Sequence, residues 1–274
     1  MTSSPQEAPA PHRFYKRANG NRLAYAQHPG GDDCLSGPCA IWLGGLRSDM
    51  TGGKALALHA WAEKREAAFL RFDYRGHGAS DGAFADFVLS DWLDDALTMI
   101  DAKTEGPLIL FGSSMGAWLA LHCALRLSER IAGLGLIAPA ADFTERLMRP
   151  SLTEAQSAAL QSQGYFDEPS EYDETPMRIT QRLLEDGAGL SLLDQPLHIQ
   201  APVRILQGMR DEAVPWRHAA LIAETLSGPD VTLTLSKDGD HRLSDPANLQ
   251  RLIAMADELF ERTGRLAPPA AQTA

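Results

Sequence analysis

The stretch that decides the fold is Leu108-Ile109-Leu110-Phe111-Gly112-Ser113-Ser114-Met115-Gly116-Ala117-Trp118, where a short apolar run meets a serine flanked by glycines. The run at 108–111 predicts a buried strand, and the Ala- and Leu-rich residues after Gly116 predict a helix. A G-x-S-x-G motif between a strand and a helix forms a sharp turn that exposes its central side chain. Ser114 is therefore the candidate nucleophile. The N–H of Met115, at the start of the helix, is a candidate donor to an oxyanion.

A serine nucleophile needs a base, and an acid that orients the base. The apolar run 203–207 leads through a glycine turn to Asp211 and Glu212. Asp211 is the preferred acid because it lies at the end of a predicted strand, with Glu212 as the alternative. A helix-capping role for Asp211 stays open. His241 follows the next predicted strand in a Gly/Asp loop, which makes it the candidate general base.

A second oxyanion donor is expected after an earlier strand. The apolar run 39–43 ends at Gly44 and Gly45, so the N–H of Leu46 is the candidate. The two glycines let the backbone approach a substrate closely. The candidate pocket-lining residues, each of which could equally belong to the core, are Gly45, Trp118, Phe143, Met148 and Trp216.

Predicted strands and helices alternate along the chain, which indicates an α/β fold with a mainly parallel central sheet and helices on both faces. One discontinuous domain is expected over 12–141 and 197–265. The intervening segment 142–196 has helical patches and a polar middle, which predicts an inserted helical cap. Disordered tails are expected at 1–11 and 266–274.

The composition limits the partners and the location. The 274 residues carry 25 Lys and Arg against 36 Asp and Glu, a net charge of −11, which disfavours binding to nucleic acid. No apolar run is long enough to span a bilayer, and no metal-binding spacing is present. Residues 1–11 lack Lys and Arg, which does not fit a signal or transit peptide, and the three cysteines fit a reducing compartment. A cytoplasmic location is therefore expected. Nothing in the sequence indicates the oligomeric state.

The order serine, acid, histidine resembles the α/β-hydrolase superfamily from about residue 13 to residue 262. The segment 72–82 also matches the superfamily's D-x-x-G-x-G-x-S loop, which is structural there, so the resemblance implies no catalytic role for His77. The segment 44–55, followed by Phe72-Asp73-Tyr74, resembles mitochondrial palmitoyl-protein thioesterases that also hydrolyse the acyl glucuronide of mycophenolic acid.

These observations predict a serine hydrolase that cleaves acyl thioesters or carboxylic esters through an acyl-enzyme, without a cofactor or a metal. Three alternatives stay open. The chain could be a small-molecule carboxylesterase that includes acyl glucuronides among its substrates. It could be an acyltransferase that uses the same serine, or a ligand sensor with little turnover. An aspartyl nucleophile is excluded because Ser stands at position 114.

Overall fold

The structure is a computed structural model that describes residues 12–30, 37–169 and 176–263. The strands are β1 (Arg13–Lys16), β2 (Arg22–His28), β3 (Cys39–Leu43), β4 (Ala68–Phe72), β5 (Leu108–Ser113), β6 (Ile131–Ile137), β7 (Tyr165–Glu168), β8 (Met177–Thr180), β9 (Val203–Gly208) and β10 (Val231–Ser236). The helices are α1 (Gly53–Arg65), α2 (Leu89–Lys103), α3 (Met115–Arg126), α4 (Arg149–Ser151), α5 (Glu154–Gln163), α6 (Gln181–Gly189), α7 (Trp216–Thr225) and α8 (Pro246–Glu261). The expected tails at 1–11 and 266–274 lie outside the described residues.

The central sheet has eight strands in the order β1-β2-β4-β3-β5-β6-β9-β10. The β1–β2 and β2–β4 pairs are antiparallel, and every neighbouring pair from β4 to β10 is parallel. The predicted α/β fold with a mainly parallel sheet is confirmed. Because parallel strands all point one way, the loops after β3, β5, β6, β9 and β10 meet at one edge of the sheet.

Helices cover both faces of the sheet, which explains why its central strands are apolar without alternation. All residues of β3 and β5 are buried. One core cluster joins the sheet to α2, α3 and the segment 142–196, and a second joins it to α1 and α8. Among the described helices, none is both long enough and apolar enough to cross a membrane.

The segment 142–196 is less purely helical than the sequence predicts. A π-helical turn (Thr144–Met148) runs into α4, and α5 and α6 flank an antiparallel hairpin of β7 and β8. In that hairpin Phe166 and Ile179 face each other and are buried. The sequence does not reveal the hairpin because each strand has only four residues, which are too few for a clear period-2 pattern. About eight residues separate the two strands, so no short turn motif marks the hairpin either.

Candidate active site

The turn between β5 and α3 holds Ser114 in a strained conformation, with φ 56° and ψ −121°. Both flanking glycines are required sterically. A Cβ added at Gly116 would lie 2.1 Å from the carbonyl oxygen of Leu43, and one at Gly112 would lie 2.4 Å from the carbonyl oxygen of Gly116. The start of α3 thus packs directly against the backbone of β3 and β5. Strain of this kind persists only where the surroundings enforce it, which is typical of functional sites.

The fold brings Ser114, Asp211 and His241 into one hydrogen-bonded chain. His241 Nδ1 lies 2.8 Å from Asp211 Oδ2, and His241 Nε2 lies 3.1 Å from Ser114 Oγ. Since Nδ1 faces a carboxylate, it carries the proton in the neutral ring, and Nε2 accepts from the serine hydroxyl. The Asp211 side chain is completely buried, whereas that of His241 is 34% exposed. The catalytic roles of the three residues stay a prediction.

Asp211, and not Glu212, contacts the histidine. Glu212 is exposed. Asp211 Oδ1 accepts from the N–H groups of Ala213 (3.0 Å) and Val214 (2.7 Å), so the carboxylate also fixes the backbone that follows it. The local, cap-like bonds considered from the sequence therefore coexist with the contact to His241.

The loop that carries His241 packs tightly on the end of β9. A Cβ added at Gly208 would lie 2.3 Å from the carbonyl oxygen of Gly239. On the other side, the amine of Lys54, in the first turn of α1, donates to the carbonyl of Arg242. Burial and the charge of Arg242 lower the pKa of Lys54 to about 8. The sequence did not point to Lys54, since a lysine in a first helical turn carries no signal of this contact.

The loop after β3 lies against the serine. A Cβ added at Gly45 would lie 3.3 Å from Ser114 Cβ, whereas one at Gly44 would meet nothing closer than 3.9 Å. Of the two glycines, Gly45 is therefore the one whose backbone lies close to the serine. The N–H of Met115 is free of a helical acceptor because Met115 is the first residue of α3. Leu46 follows Gly45 directly and is half-buried.

Two side chains of the β4 region hold this loop, and the sequence analysis gave neither of them that role. Asp73 Oδ1 accepts from the N–H of Met50 at 2.6 Å, and Arg71 Nη1 donates to the carbonyl of Met50 at 2.6 Å. Asp73 is the first residue of the D-x-x-G-x-G-x-S loop, which is the only sequence signal for it. Burial raises the pKa of Asp73 to about 6.

The candidate pocket residues differ in burial. Trp118 is fully buried, and its indole N–H donates to the carbonyl of Leu190 at 3.2 Å; its pocket-lining role stays a prediction. Phe143 packs edge-on against it, with ring centroids 5.5 Å apart. Met148 and Trp216 are half-buried. Sequence spacing alone could not show which of these residues are fully buried, because all are large and apolar.

A few polar contacts join the two ends of the segment 142–196 to each other and attach it to the sheet domain. Asp142, at φ 55°, accepts from the N–H groups of Leu192 and Leu193, each at 2.8 Å, so one carboxylate joins the two ends of the segment. His122 of α3 contacts the Leu190 carbonyl through Nε2 at 2.9 Å. Burial lowers the pKa of His122 to about 4, which keeps the ring neutral at physiological pH.

Neither His77 nor any group of metal-binding side chains among the described residues forms a second site. His77 lies in a buried aromatic cluster with Tyr74, Phe84 and Trp92, and burial lowers its pKa to about 4. Within 12–30, 37–169 and 176–263, no group of three or more His, Cys, Asp or Glu is arranged to hold a metal ion.

Comparison with known proteins identifies relatives over most of the chain. The family described as serine aminopeptidase, S33 matches residues 51–166. The mitochondrial palmitoyl-protein thioesterase ABHD10 of Mus musculus is 36% identical over 256 residues, which cover 93% of this chain and 84% of that protein.

The predicted cytoplasmic location is wrong on this evidence, because the relatives from mouse, rat, cattle and human are named as mitochondrial proteins. The composition of residues 1–11 did not report the location. A targeting address is read by import receptors and leaves no trace in the fold of the domain.

Two solved structures have the same fold. One, of a protein from Agrobacterium vitis S4, has a TM-score of 0.85 and 40% identity, covering 92% of this chain and 100% of the other. The second, alpha/beta hydrolase domain-containing protein 10 from mouse, has a TM-score of 0.83 and 35% identity, covering 92% and 99%. The chain therefore belongs to the α/β-hydrolase superfamily, in the group that contains ABHD10, and it is a hydrolase of ester bonds.

Proposed function

We propose that this hydrolase cleaves fatty-acyl thioesters and related carboxylic esters, with Ser114 as nucleophile, His241 as general base and Asp211 as the orienting acid. The observation that carries the proposal is the continuous hydrogen-bonded chain from Asp211 through His241 to a half-buried serine on a strained turn. The geometry matches the role each group has in acyl transfer.

In the first half of the reaction, Ser114 Oγ attacks the acyl carbon while its proton passes to His241 Nε2. The carbonyl oxygen becomes an oxyanion facing the N–H groups of Met115 and Leu46. The tetrahedral intermediate then collapses. The bond to the leaving thiol or alcohol breaks, and His241 returns its proton to that group.

In the second half, water takes the place of the leaving group. His241 accepts a proton from the water as the water oxygen attacks the acyl-serine. Collapse of this second intermediate releases the carboxylic acid and restores the Ser114 hydroxyl with the proton from His241. Each oxyanion donor is typically worth about 3 kcal/mol of transition-state stabilisation.

The acyl group is proposed to lie under the segment 142–196, which we treat as a cap over the sheet domain (12–141 and 197–265). The proposed lining is Gly45, Phe143, Met148 and Trp216. Phe143 and Met148 come from the cap, and Leu147, Met148 and Leu152 pack half-buried against the core cluster. An apolar lining favours an acyl chain over a polar acid. The relatives' name, palmitoyl-protein thioesterase, supports the same substrate class.

Replacement of the nucleophile tests the mechanism. Ser114→Ala is expected to lower kcat by at least ~10⁴-fold on p-nitrophenyl esters, because no other group can form the acyl-enzyme. Ser162→Ala, which changes an exposed serine on α5, is the control and is expected to keep full activity. Near-normal turnover by Ser114→Ala would contradict the mechanism.

A chain-length series tests the substrate. We expect kcat/KM on acyl-CoA thioesters to rise from acetyl towards long chains, and Met148→Ala to lower the long-chain values more than the acetyl value. A maximum at acetyl would contradict the fatty-acyl proposal and leave the serine mechanism intact.

A further inference from the structure

The carboxamide of Gln207, in β9, lies beside the proposed catalytic acid and is completely buried. Its Nε2 carries two hydrogens and lies within hydrogen-bond distance of three acceptors: Asp211 Oδ2 at 2.9 Å, the Gly208 carbonyl at 3.0 Å and the Val214 carbonyl at 3.1 Å. All three neighbours are acceptors. The reverse orientation would place the amide oxygen against a carboxylate and two carbonyls, so the environment itself determines which way the amide points.

This orientation has a cost for stability. Among the described residues, Gln207 Oε1 is buried without a hydrogen-bond partner. An unpaired buried polar atom is unfavourable, and an apolar side chain at the same place would avoid it. The donor face of the amide, which meets Asp211, is the part that can compensate.

Asp211 needs this donor because water cannot reach its side chain. Oδ1 is satisfied by two backbone N–H groups, at Ala213 and Val214, while Oδ2 receives His241 Nδ1 at 2.8 Å and Gln207 Nε2 at 2.9 Å. Four donors thus occupy the carboxylate. Without Gln207, Oδ2 would be held by the histidine alone, and the histidine is the group that must change its protonation during the reaction.

We propose that Gln207 is a positioning residue that fixes the rotation of the Asp211 carboxylate. Its amide N–H and His241 Nδ1–H both bind Asp211 Oδ2, so the amide offsets part of the negative charge that faces His241. The proposal rests on the proposed roles of Asp211 and His241. Two consequences follow. Loss of the amide donor misaligns the His241 ring, which lowers kcat more than it changes KM. It also leaves more negative charge facing His241, which favours the protonated ring and moves the acidic limb of the kcat/KM profile to higher pH.

Two substitutions of similar size test the proposal. Gln207→Met removes the donor, and we expect kcat to fall about 10- to 100-fold, the range for a lost hydrogen bond to a charged group, with an acidic limb at higher pH. Gln207→Glu can still donate one hydrogen bond when protonated. We therefore expect it to retain more activity at low pH and to lose activity as pH rises, through repulsion between two adjacent carboxylates.

Thr104→Val is the matched control, because it removes different hydrogen bonds, at the opposite end of β5 from Ser114. Thr104 Oγ1 donates to the Ile100 carbonyl and accepts from Arg130 Nη2. Thr104→Val should lower the free energy of unfolding and leave the acidic and basic limbs of the kcat/KM pH profile unchanged. The low-field proton resonance of His241 Nδ1–H gives a readout independent of turnover, and we expect it to shift in Gln207→Met and not in Thr104→Val.

The proposal would be overturned if Gln207→Met kept the wild-type kcat, the wild-type pH profile of kcat/KM and the wild-type His241 Nδ1–H resonance. It would also be overturned if the pH profile of Gln207→Glu showed no new loss of activity at high pH. Failure of the proposed function is distinguishable, since in that case Asp211→Asn and His241→Ala would also retain activity.

Discussion

The sheet domain and the cap segment (142–196) keep their shapes by different means. Around Ser114, backbone packs on backbone, so that a Cβ at Gly112, Gly116 or Gly208 would overlap a main-chain oxygen. The cap is held by apolar side chains and by a few polar anchors, chiefly Asp142 and the Leu190 carbonyl. Backbone contacts of this kind leave the turn little freedom, whereas side-chain contacts can be exchanged. The proposed function correspondingly places the chemistry at the sheet edge and the choice of substrate in the cap.

The same substitution made in both regions gives the largest contrast. We expect Gly116→Ala to destabilise the protein by about 3 kcal/mol or more, because its Cβ would lie 2.1 Å from the backbone oxygen of Leu43. In the cap, a Cβ added at Gly164 would meet no described atom within 4 Å. We expect Gly164→Ala to lower the free energy of unfolding by only about 1 kcal/mol, because alanine is disfavoured at its φ of 80°.

Urea unfolding and turnover of both variants measure this contrast. Helix propensity alone favours alanine over glycine within α3 by about 1 kcal/mol. The expected loss of stability in Gly116→Ala therefore comes from the steric overlap with the Leu43 carbonyl oxygen. A Gly116→Ala protein as stable and active as the parent would show that the turn between β5 and α3 can accommodate a Cβ at this position.

Asp142→Asn tests the cap anchor with an effect of intermediate size. Asparagine tolerates the positive φ, but its NH₂ group would face a backbone N–H of Leu192 or Leu193, and we expect a loss of about 2 kcal/mol. Proteolysis within the cap should accelerate. Activity on acetyl esters should fall less than activity on long-chain substrates.

Asp194→Asn is the control for this anchor, since that carboxylate is 76% exposed and should contribute little. If Asp142→Asn lost equal activity on acetyl and long-chain substrates, the cap would not be the region that selects the acyl chain.

The pH dependence of stability gives the smallest effect. Burial lowers the pKa of His122 from 6.5 to about 4, so between these values the unfolded chain binds a proton that the folded chain does not. Stability from this group is present above pH 6.5 and is lost as pH falls towards 4. Its share amounts to about 1 kcal/mol between pH 7 and pH 5.5.

His122→Gln should therefore show a shallower loss of unfolding free energy on acidification, measured by urea titration at the two pH values. His198→Gln, at an exposed ring, should keep the slope of the parent. An unchanged slope in His122→Gln would mean that the ring is not desolvated at the junction of α3 and the cap.

The local sequence pattern predicts the sheet domain better than the cap. Strand β3 was expected at its observed position, and the helix after Ser114 was expected within two residues, because a continuous apolar run that ends at glycines carries a strong signal. The hairpin of β7 and β8 was not expected. Neither Gln207 nor Asp142 could be singled out, since a single polar residue beside an apolar run has no periodicity.

By itself, the sequence determined the fold class, the order of strands and helices, and the identity of the residues that the sheet edge brings together. Those features depend on local pattern and on the direction of parallel strands, which a chain specifies residue by residue. Only the tertiary structure showed that Asp211, and not Glu212, contacts His241, that Trp118 is buried against the Leu190 carbonyl, and that Gln207 lies beside Asp211. Each of these depends on which distant groups share a buried space, and burial and hydrogen bonding across the fold are not encoded in the spacing of residues along the chain.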